Sequence, residues 1–405
     1  MSAGRAALLS EALFWLLLAC LCFLSPARGL WTPDEPREAE IGREMSLAPS
    51  IVPRLNGAPF CEKPPLYYWA LGAAYRLSGG PSPAAGRALS GLLAFLTLLA
   101  TYIWARRHAG PGVAHAAAFM LATSVLFFQS AHWVYIDPAL MLFLTLAWWT
   151  GFELMARPKP GLLLAFYASM ALALWVKGLI GLALPTVGLG LFFLVRRKGG
   201  FHQPFRPVLG VLALLVLSAL CVGTFYLAAG AEAVRQLVWV NQILRFVSPQ
   251  GTGHAQPFYY YLQTFPLALL PWLPPALSLA RPRFWTGEHP GEHPDLRRYL
   301  GWVTLGGLVL LSLATTKRPT YLLPLLPPAF LLVGASLSDL LREAGRPALR
   351  WERILFGRAQ PVWMAAWGLL VPVSVLAYTR SPWPSTLNLL ALAELAGGLG
   401  VFWGW

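Results

Sequence analysis

The sequence predicts an all-α polytopic membrane protein with about twelve membrane-spanning helices. Of the 405 residues, 57% are hydrophobic and only 12% are charged, and the mean hydropathy is +0.57. Those values exclude a disordered chain, a coiled coil and an ordinary soluble enzyme. A helical span needs ~20 apolar residues. The predicted spans are 8–25, 87–105, 112–130, 138–156, 161–176, 179–195, 208–228, 263–280, 300–315, 320–338, 361–378 and 386–404.

The distribution of charge predicts the topology. Along the chain, loops with short basic clusters alternate with loops of mixed charge between the predicted spans. The termini and loops of the basic group hold 18 of the 31 Lys and Arg residues. Because cytoplasmic loops of membrane proteins carry excess Lys and Arg, both termini are predicted to be cytoplasmic. The same rule explains the net charge of +14 without a nucleic acid partner.

The first apolar run has two interpretations. Arg5 followed by an apolar core and Ser25-Pro26-Ala27-Arg28 is also compatible with a signal peptide. The core is long, and the residues just after it carry charges of functional character. We therefore predict a membrane span.

The first outside loop, 29–86, contains a predicted interfacial helix that starts at Pro36. Ile41 and Met45 fall on one face of this helix, so it is expected to lie flat in the interface. Asp34 precedes it at the end of a span, where a partly desolvated carboxylate could act as a general base. The alternative is that Asp34 only caps the helix.

A second interfacial helix is predicted to start at Pro64-Pro65, directly after Glu62-Lys63. It carries Tyr67 and Tyr68 at headgroup depth. A Lys63 ammonium beside these rings suits a lipid headgroup that carries phosphate. The alternative is a surface ion pair between Glu62 and Lys63.

Two further charges lie where the chain meets the membrane. Asp137 precedes Pro138 at the start of a span, where an acid is costly unless it works, is paired or caps the helix. Lys177-Gly178 interrupts a long apolar stretch. Lys177 either extends to the outer interface or binds an anionic substrate there.

The outside segment 229–262 is predicted to form an interfacial helix up to Phe246, followed by a glycine-rich loop, 251–253, that closes over substrate. His254 could bind a divalent metal ion together with Glu62, or could simply form hydrogen bonds. Lys317 and Arg318 form a doubly basic outside turn, which favours an anion site.

These motifs together resemble the glycosyltransferase C superfamily, whose members take sugars from polyprenyl-phosphate carriers. The similarity is greatest to bacterial aminoarabinose transferases that modify lipid A and to protein O-mannosyltransferase-like relatives, and it covers roughly residues 8–338. The matching motifs are Asp34-Glu35-Pro36-Arg37, Arg54-Leu55-Asn56-Gly57, Glu62-Lys63-Pro64-Pro65-Leu66-Tyr67-Tyr68, Tyr135-Ile136-Asp137-Pro138, Lys177-Gly178, Asn241 with Arg245-Phe246 and His254, and 317–324.

The resemblance implies a role for each matching residue. Asp34 and Asp137 would be catalytic and flank the acceptor and the donor sugar. The groups around the carrier phosphate would be Arg37, Lys63, Arg245, Lys317 and Tyr321, and further substrate contacts would be Glu35, Tyr67, Tyr68 and Lys177. Glu62 and His254 match positions that can bind a metal ion.

The sequence is therefore expected to form a single transferase domain, 1–405, in the inner membrane, with its active site facing the periplasm and segment 229–262 as a mobile lid. No C-terminal soluble domain is expected. The expected partners are a polyprenyl-phosphate-linked sugar donor, membrane lipid, and a lipid, glycan or protein acceptor. The alternative is a transporter or lipid flippase. One outer cavity containing the charges would favour the transferase, and a site in the middle of the membrane would favour transport.

Overall fold

The computed structural model describes residues 3–23, 29–30, 33–196, 203–248, 254–287 and 289–342. The last two predicted spans, 361–378 and 386–404, lie outside these residues. So do the predicted loop 251–253 and the part of the chain on which the expectation about a C-terminal domain depends.

Sixteen α-helices are found in the described residues. They are α1 (Ala3–Phe23), α2 (Asp34–Leu47), α3 (Leu66–Leu77), α4 (Pro83–His108), α5 (Pro111–Thr123), α6 (Val125–Ala131), α7 (Asp137–Ala156), α8 (Pro160–Lys177), α9 (Ile180–Arg196), α10 (Pro207–Val234), α11 (Arg245–Val247), α12 (Tyr260–Ala268), α13 (Leu273–Leu277), α14 (Pro282–Thr286), α15 (Leu296–Leu313) and α16 (Leu326–Arg342). A π-helix covers Arg235–Leu244, and 3₁₀ turns cover Gln203–Phe205, Ser278–Ala280 and Pro319–Leu325.

The all-α membrane architecture is confirmed, whereas the number of about twelve spans is not. Among the described residues, six helices are long and apolar enough to cross a membrane, or seven if α5 and α6 form one bent span. The bend between α5 and α6 is 68° and occurs at Ser124, whose ψ of 136° is extended. The predicted span 112–130 is therefore not straight.

The predicted span 263–280 is wrong as a single helix. The chain forms α12, a turn, α13 and a 3₁₀ turn instead. Prolines recur in this stretch, with Pro266 inside α12 and Pro271 in the turn. Proline lacks the amide N–H that a continuous helix needs, so apolar composition alone does not produce one long helix here.

Both predicted interfacial helices of the first outside loop form, as α2 and α3. Between them Asn56-Gly57 makes the predicted turn, with φ of 54° at Asn56 and 80° at Gly57. The turn joins two short antiparallel strands, β1 (Arg54–Leu55) and β2 (Ala58–Pro59). Asn and Gly are the residues that tolerate this left-handed backbone.

Helix α7 lies at the centre of the bundle and packs against α4, α8 and α9. Trp104 of α4 stacks on Trp149 of α7 with ring centroids 4.2 Å apart. The Tyr299 hydroxyl of α15 donates to the Trp148 carbonyl at 2.6 Å. These contacts fix α7, and with it the position of its first residue, Asp137.

The bundle has two chemically distinct ends. At the Lys177 end, α2, α7 and α9 begin and α8 and α15 finish. At the Glu153 end, α4, α7 and α9 finish and α15 begins. Most residues that the sequence singles out lie at the Lys177 end.

Candidate active site

A cavity of about 360 Å³ opens at the Lys177 end. Its polar side carries three cations, Lys63, Lys177 and Arg245, together with Glu62 and Tyr321. Much of the remaining lining is apolar and includes Leu140, Leu179, Ile180, Ala183, Leu184, Leu310 and Leu311. The cavity therefore suits a molecule with an anionic head and an apolar tail, and it brings together five of the predicted site residues.

Arg245 is the least satisfied of the three cations. Its Nε is buried without a hydrogen-bond partner among the described residues, and its Nη1 lies 4.0 Å from the Glu62 carboxylate. A buried guanidinium nitrogen normally has a partner. An anion in the cavity would supply one.

Asp137 and Lys177 form an ion pair beside the cavity. The N-cap residue of α7 is Ile136, and Asp137 lies in the first turn, so Asp137 is not the capping residue that the alternative expected. Its Oδ1 accepts from Lys177 Nζ instead. The same Nζ lies 4.5 Å from the centroid of the Tyr321 ring. Lys177 is thus held between a carboxylate and an aromatic face while lining the cavity.

The turn after Lys177 is held by Gln242, which also lines the cavity. Gly178 has a φ of +81°, and a Cβ at this position would lie 2.4 Å from the Gln242 side chain. Gln242 Oε1 accepts from the backbone N–H of Leu179 at 3.1 Å. Only glycine fits this backbone without strain, and the contact fastens the π-helix to the end of α8.

A chain of charges runs from the cavity to Asp34. Lys63 Nζ donates to Glu38 Oε1 at 2.6 Å, and Arg37 Nη2 donates to the same oxygen at 2.9 Å and to Asp34 Oδ1 at 3.0 Å. The ion pair between Glu62 and Lys63, which was the alternative to a phosphate contact, does not form among the described residues, where Lys63 pairs with Glu38. The N-cap residue of α2 is Pro33, and Asp34 lies in the first turn, so Asp34 is not the cap. Its carboxylate is directed to arginine.

Glu38 is a site residue that the sequence analysis did not select. It is 1% exposed and lies one helical turn after Asp34, a spacing that puts both carboxylates on one face of α2. Burial alone would raise the pKa of Glu38, but the charges of Lys63 and Arg37 outweigh it and lower the pKa. The i, i+4 spacing of Asp34 and Glu38 was the feature of the sequence that could have identified Glu38 as a site residue.

Tyr67 and Tyr68 are 1% and 0% exposed, so neither is at the headgroup surface. Burial raises the pKa of both hydroxyls, and the Glu38 carboxylate raises it further. Both hydroxyls are therefore neutral beside Glu38. Their predicted role as substrate contacts stays a prediction.

The prediction that Glu35 contacts substrate finds no support in its surroundings. Glu35 is 0% exposed, and its two oxygens accept from Arg87 at 3.1 and 3.2 Å. Oε1 also accepts from the backbone N–H of Val134 at 3.0 Å. Adjacent residues on a helix point about 100° apart. This explains why Glu35 joins α2 to α4 while Asp34 pairs with Arg37 and Arg318.

The two cations of the outside turn have different surroundings. Lys317 is 4% exposed, and its Nζ donates to the carbonyls of Ala314 and Gln256. Burial lowers the pKa of Lys317. Its predicted role at the carrier phosphate is therefore poorly matched by its position. Arg318 instead donates to Asp34 Oδ2 at 2.9 Å, although the two residues are far apart in sequence.

The residues proposed for a metal ion do not fit one. Arg318 Nη2 donates to His254 Nε2 at 2.5 Å, which places a guanidinium where a cation would bind. Partial burial, then Arg318 and Arg245, lower the pKa of His254. Within the described ranges, no group of three or more His, Cys, Asp or Glu side chains is arranged to hold a metal. Metal binding by Glu62 and His254 stays a prediction, and no reaction step is assigned to it.

The first part of segment 229–262 is helical and ends at Val247, one residue after the predicted end at Phe246. Helix α10 has a kink at Gly230, where φ is 80° and ψ is −175°. The π-helix and α11 follow, and they carry Asn241, Gln242 and Arg245 into the cavity wall. The mobility predicted for 251–253 concerns residues outside the described part of the chain.

Comparisons with known proteins place this geometry in a family. Residues 62–222 match the family described as dolichyl-phosphate-mannose-protein mannosyltransferase. An undecaprenyl phosphate-alpha-4-amino-4-deoxy-L-arabinose arabinosyl transferase from Aeromonas hydrophila is 30% identical over 390 residues, covering 93% of this chain and 67% of that relative. The chain belongs to the glycosyltransferase C superfamily.

Other members of the superfamily agree. The relative of the same description from Edwardsiella ictaluri is 32% identical over 352 residues, covering 83% of this chain and 61% of the relative. The chain spans about two thirds or less of the length of most of the curated relatives that it matches. In two of them it covers 61% and 64% of the relative's length.

Two solved structures share the fold. ArnT from Cupriavidus metallidurans bound to undecaprenyl phosphate superposes with a TM-score of 0.71 at 23% identity, covering 100% of this chain and 77% of that protein. The oligosaccharyltransferase AglB from Archaeoglobus fulgidus, in complex with an inhibitory peptide and a dolichol-phosphate, gives a TM-score of 0.50 at 14% identity, covering 98% and 56%. At these identities the likeness concerns the fold alone.

Proposed function

We propose that this protein is an integral membrane glycosyltransferase that moves a sugar from a polyprenyl-phosphate-linked donor to an acceptor at the periplasmic face of the inner membrane. The observation that carries the proposal is one cavity lined both by the cations Lys63, Lys177 and Arg245 and by a set of apolar side chains. The curated relatives, described as transferases that use undecaprenyl phosphate-linked aminoarabinose, support the same class of donor.

The donor occupies the cavity with its phosphate against the three cations and its prenyl chain along the leucine-rich wall. During transfer an acceptor oxygen forms a bond to the anomeric carbon, and the bond from that carbon to the phosphate oxygen breaks. The bonding electrons leave with the phosphate. Because negative charge grows there in the transition state, the cations lower the barrier.

Asp34 is the proposed general base for a hydroxyl acceptor. Its two oxygens accept from Arg37 and Arg318, and a carboxylate oxygen has a second lone pair with which to accept the proton. Asp137 acts on the donor side, since it holds Lys177 against the cavity. An acceptor phosphate would be ionised already and would need no base.

A transporter or flippase would have its charged site in the middle of the bundle. Here the cavity and its charges lie near the start of α7 and the ends of α8 and α15. This position favours transfer chemistry at a membrane face. By the charge distribution of the loops, that face is the periplasmic one.

Lipid A is the acceptor to test first, with glycan and protein acceptors as alternatives. The full chain in proteoliposomes is supplied with undecaprenyl phosphate-linked aminoarabinose and lipid A, and products are analysed by mass spectrometry. The expected result is a lipid A species heavier by one aminoarabinose, absent with Asp34→Asn. Movement of lipid between leaflets without any sugar transfer would contradict the proposal in favour of the flippase.

Cells supply the complementary test for other acceptors. Glycolipids and glycoproteins from cells with and without the gene are compared by mass spectrometry. A sugar modification that depends on the gene and on Asp34 identifies the acceptor. Its absence from every lipid, glycan and protein fraction would count against a transferase.

A further inference from the structure

We propose that Arg318 is a positioning residue that holds Asp34 in its reactive orientation and ties it to His254. The inference rests on the proposed function of Asp34 as base. It also assigns a hydrogen bond from Arg318 to His254, one of the two residues for which a metal ion was expected from sequence.

The guanidinium of Arg318 reaches two residues from distant parts of the chain. Nη1 donates to Asp34 Oδ2 at 2.9 Å across a separation of 284 residues, and Nη2 donates to His254 Nε2 at 2.5 Å. A guanidinium is planar and presents its donors in a fixed fork. The orientation of Arg318 therefore sets where the Asp34 carboxylate and the His254 ring lie relative to each other.

The backbone of Arg318 is itself fixed. Tyr261, which is 1% exposed, has its hydroxyl 3.1 Å from the Arg318 carbonyl and 3.3 Å from the Arg318 amide nitrogen. The adjoining residue Lys317 donates its backbone N–H to the His254 carbonyl at 3.1 Å. A side chain that starts from a fixed backbone loses less entropy when it holds a partner.

The same turn also holds the helix end that carries Arg245. Thr315 donates its N–H to the Phe246 carbonyl at 2.8 Å, and the Thr316 hydroxyl donates to the Arg245 carbonyl at 3.1 Å. One short turn thus contacts the backbone of a cavity cation on one side and, through Arg318, the carboxylate of the proposed base on the other. This arrangement sets the distance between donor phosphate and base.

The position of Arg318 distinguishes it from the cavity cations. Arg318 does not line the cavity, whereas Lys63, Lys177 and Arg245 do. A ligand of the donor phosphate would alter donor affinity when it is replaced. A residue that orients Asp34 would alter turnover, and small errors in orientation can cost about 100-fold in rate.

The first test measures turnover and donor-side binding separately. Arg318→Gln, Arg318→Lys and the double variant Asp34→Asn/Arg318→Gln are purified as full chains. Transfer from undecaprenyl phosphate-linked aminoarabinose to lipid A gives kcat, and binding of undecaprenyl phosphate gives Kd. We expect Arg318→Gln to lower kcat about 100-fold with Kd changed less than about twofold. Arg318→Lys should recover part of the loss, because it keeps the charge.

The double variant tests whether Arg318 acts through Asp34. If it does, adding Arg318→Gln to Asp34→Asn causes little further loss of kcat, because residues that act as a unit are not additive. The matched control is Arg235→Gln, which breaks the exposed pair with Glu232 and should leave kcat unchanged. A large rise in Kd, an unchanged kcat, or a full additional loss in the double variant would each overturn the proposal.

A second measurement does not depend on turnover. Hydrogen–deuterium exchange is measured in the wild type, in Arg318→Gln and in Arg318→Lys. Relative to the wild type, exchange at residues 34–38 and 254–260 should rise in Arg318→Gln and should rise less in Arg318→Lys. Unchanged exchange in both segments would overturn the positioning role. If the wild type transfers no sugar while this exchange pattern holds, the proposed function fails and the structural role of Arg318 stands. Global unfolding of Arg318→Gln would raise exchange throughout the chain. In that case the exchange of Arg318→Lys at the same two segments tests the positioning role.

Discussion

Arg297 at the Glu153 end and Arg245 at the Lys177 end show how differently the two ends of the bundle use arginine. Arg297 is 5% exposed and makes four hydrogen bonds of 2.5–3.0 Å to the carboxylates of Glu292 and Asp339. Arg245 lies 4.0 Å from Glu62 and has a buried Nε without a partner in the described ranges.

The remaining charges at each end follow the same division. At the Glu153 end, Glu153 accepts from His108 at 2.6 Å and from Arg107 at 3.2 Å, so the charges satisfy one another. At the Lys177 end, the paired cations Lys63 and Lys177 also line an open cavity. Saturated charges hold helices together, whereas charges that keep donors directed at a cavity are arranged for a ligand.

Asp34→Asn is the substitution expected to have the largest effect. The amide keeps the shape of the side chain but cannot accept a proton, so kcat should fall by about 10²–10⁴-fold. Undecaprenyl phosphate binding should stay close to the wild type, whereas the melting temperature should fall, because the amide cannot accept from both Arg37 and Arg318. Near-normal turnover by the purified variant would remove Asp34 from catalysis.

Arg297→Gln tests the other end. It leaves the carboxylates of Glu292 and Asp339 without their shared cation, and breaking a buried pair in this way costs about 3–5 kcal/mol. We expect a lower melting temperature in detergent and an unchanged Kd for undecaprenyl phosphate in the folded fraction. A weakened Kd at an unchanged melting temperature would contradict the division between the two ends.

Lys63→Ala should weaken undecaprenyl phosphate binding by about tenfold, the smaller end of the range for a charge-assisted hydrogen bond. Lys63→Arg keeps the positive charge and should weaken it less. Lys159→Ala serves as the matched control, because Lys159 is exposed at the Glu153 end. Equal affinities of Lys63→Ala and wild type would show that Lys63 serves Glu38 only.

The smallest expected effect concerns pH. The pKa of Glu38 is lowered in the folded protein from its ordinary 4.5, so the folded state favours the ionised form. The stabilisation is present above about pH 4.5 and is lost as the pH falls through the lower folded value. Glu38→Gln should flatten the fall of the melting temperature below about pH 4.5. An identical pH dependence in wild type and Glu38→Gln would contradict this.

Much of the fold was predictable from the sequence because apolar runs and charged ends are local features. Asp137 and Lys177 mark the ends of α7 and α8, and Asn56-Gly57 gives the turn. Local apolar composition did not reveal the broken helix at 263–280, although Pro266 and Pro271 were visible signals.

The partners of the site residues could not be predicted in the same way. Glu38 with Lys63, Glu35 with Arg87, and Arg318 with Asp34 pair across 25, 52 and 284 residues. Which residues meet depends on how the helices pack. A carboxylate at a membrane boundary therefore indicates a function or an ion pair, but the choice between them requires the neighbouring helices.

The π-helix at Arg235–Leu244 has a consequence for how this chain tolerates changes in length. A π turn contains more residues than an α turn, and such turns are rare and often occur at functional sites. Deleting one residue between 235 and 240 while the π geometry is kept would turn every later side chain about the helix axis by somewhat less than the ~100° per residue of an α-helix. Arg245 would then leave the cavity, and Gln242 would lose its contact with Gly178. Every residue of the site would nevertheless still be present in the sequence. In this segment the spacing of residues is as much a requirement as their identity.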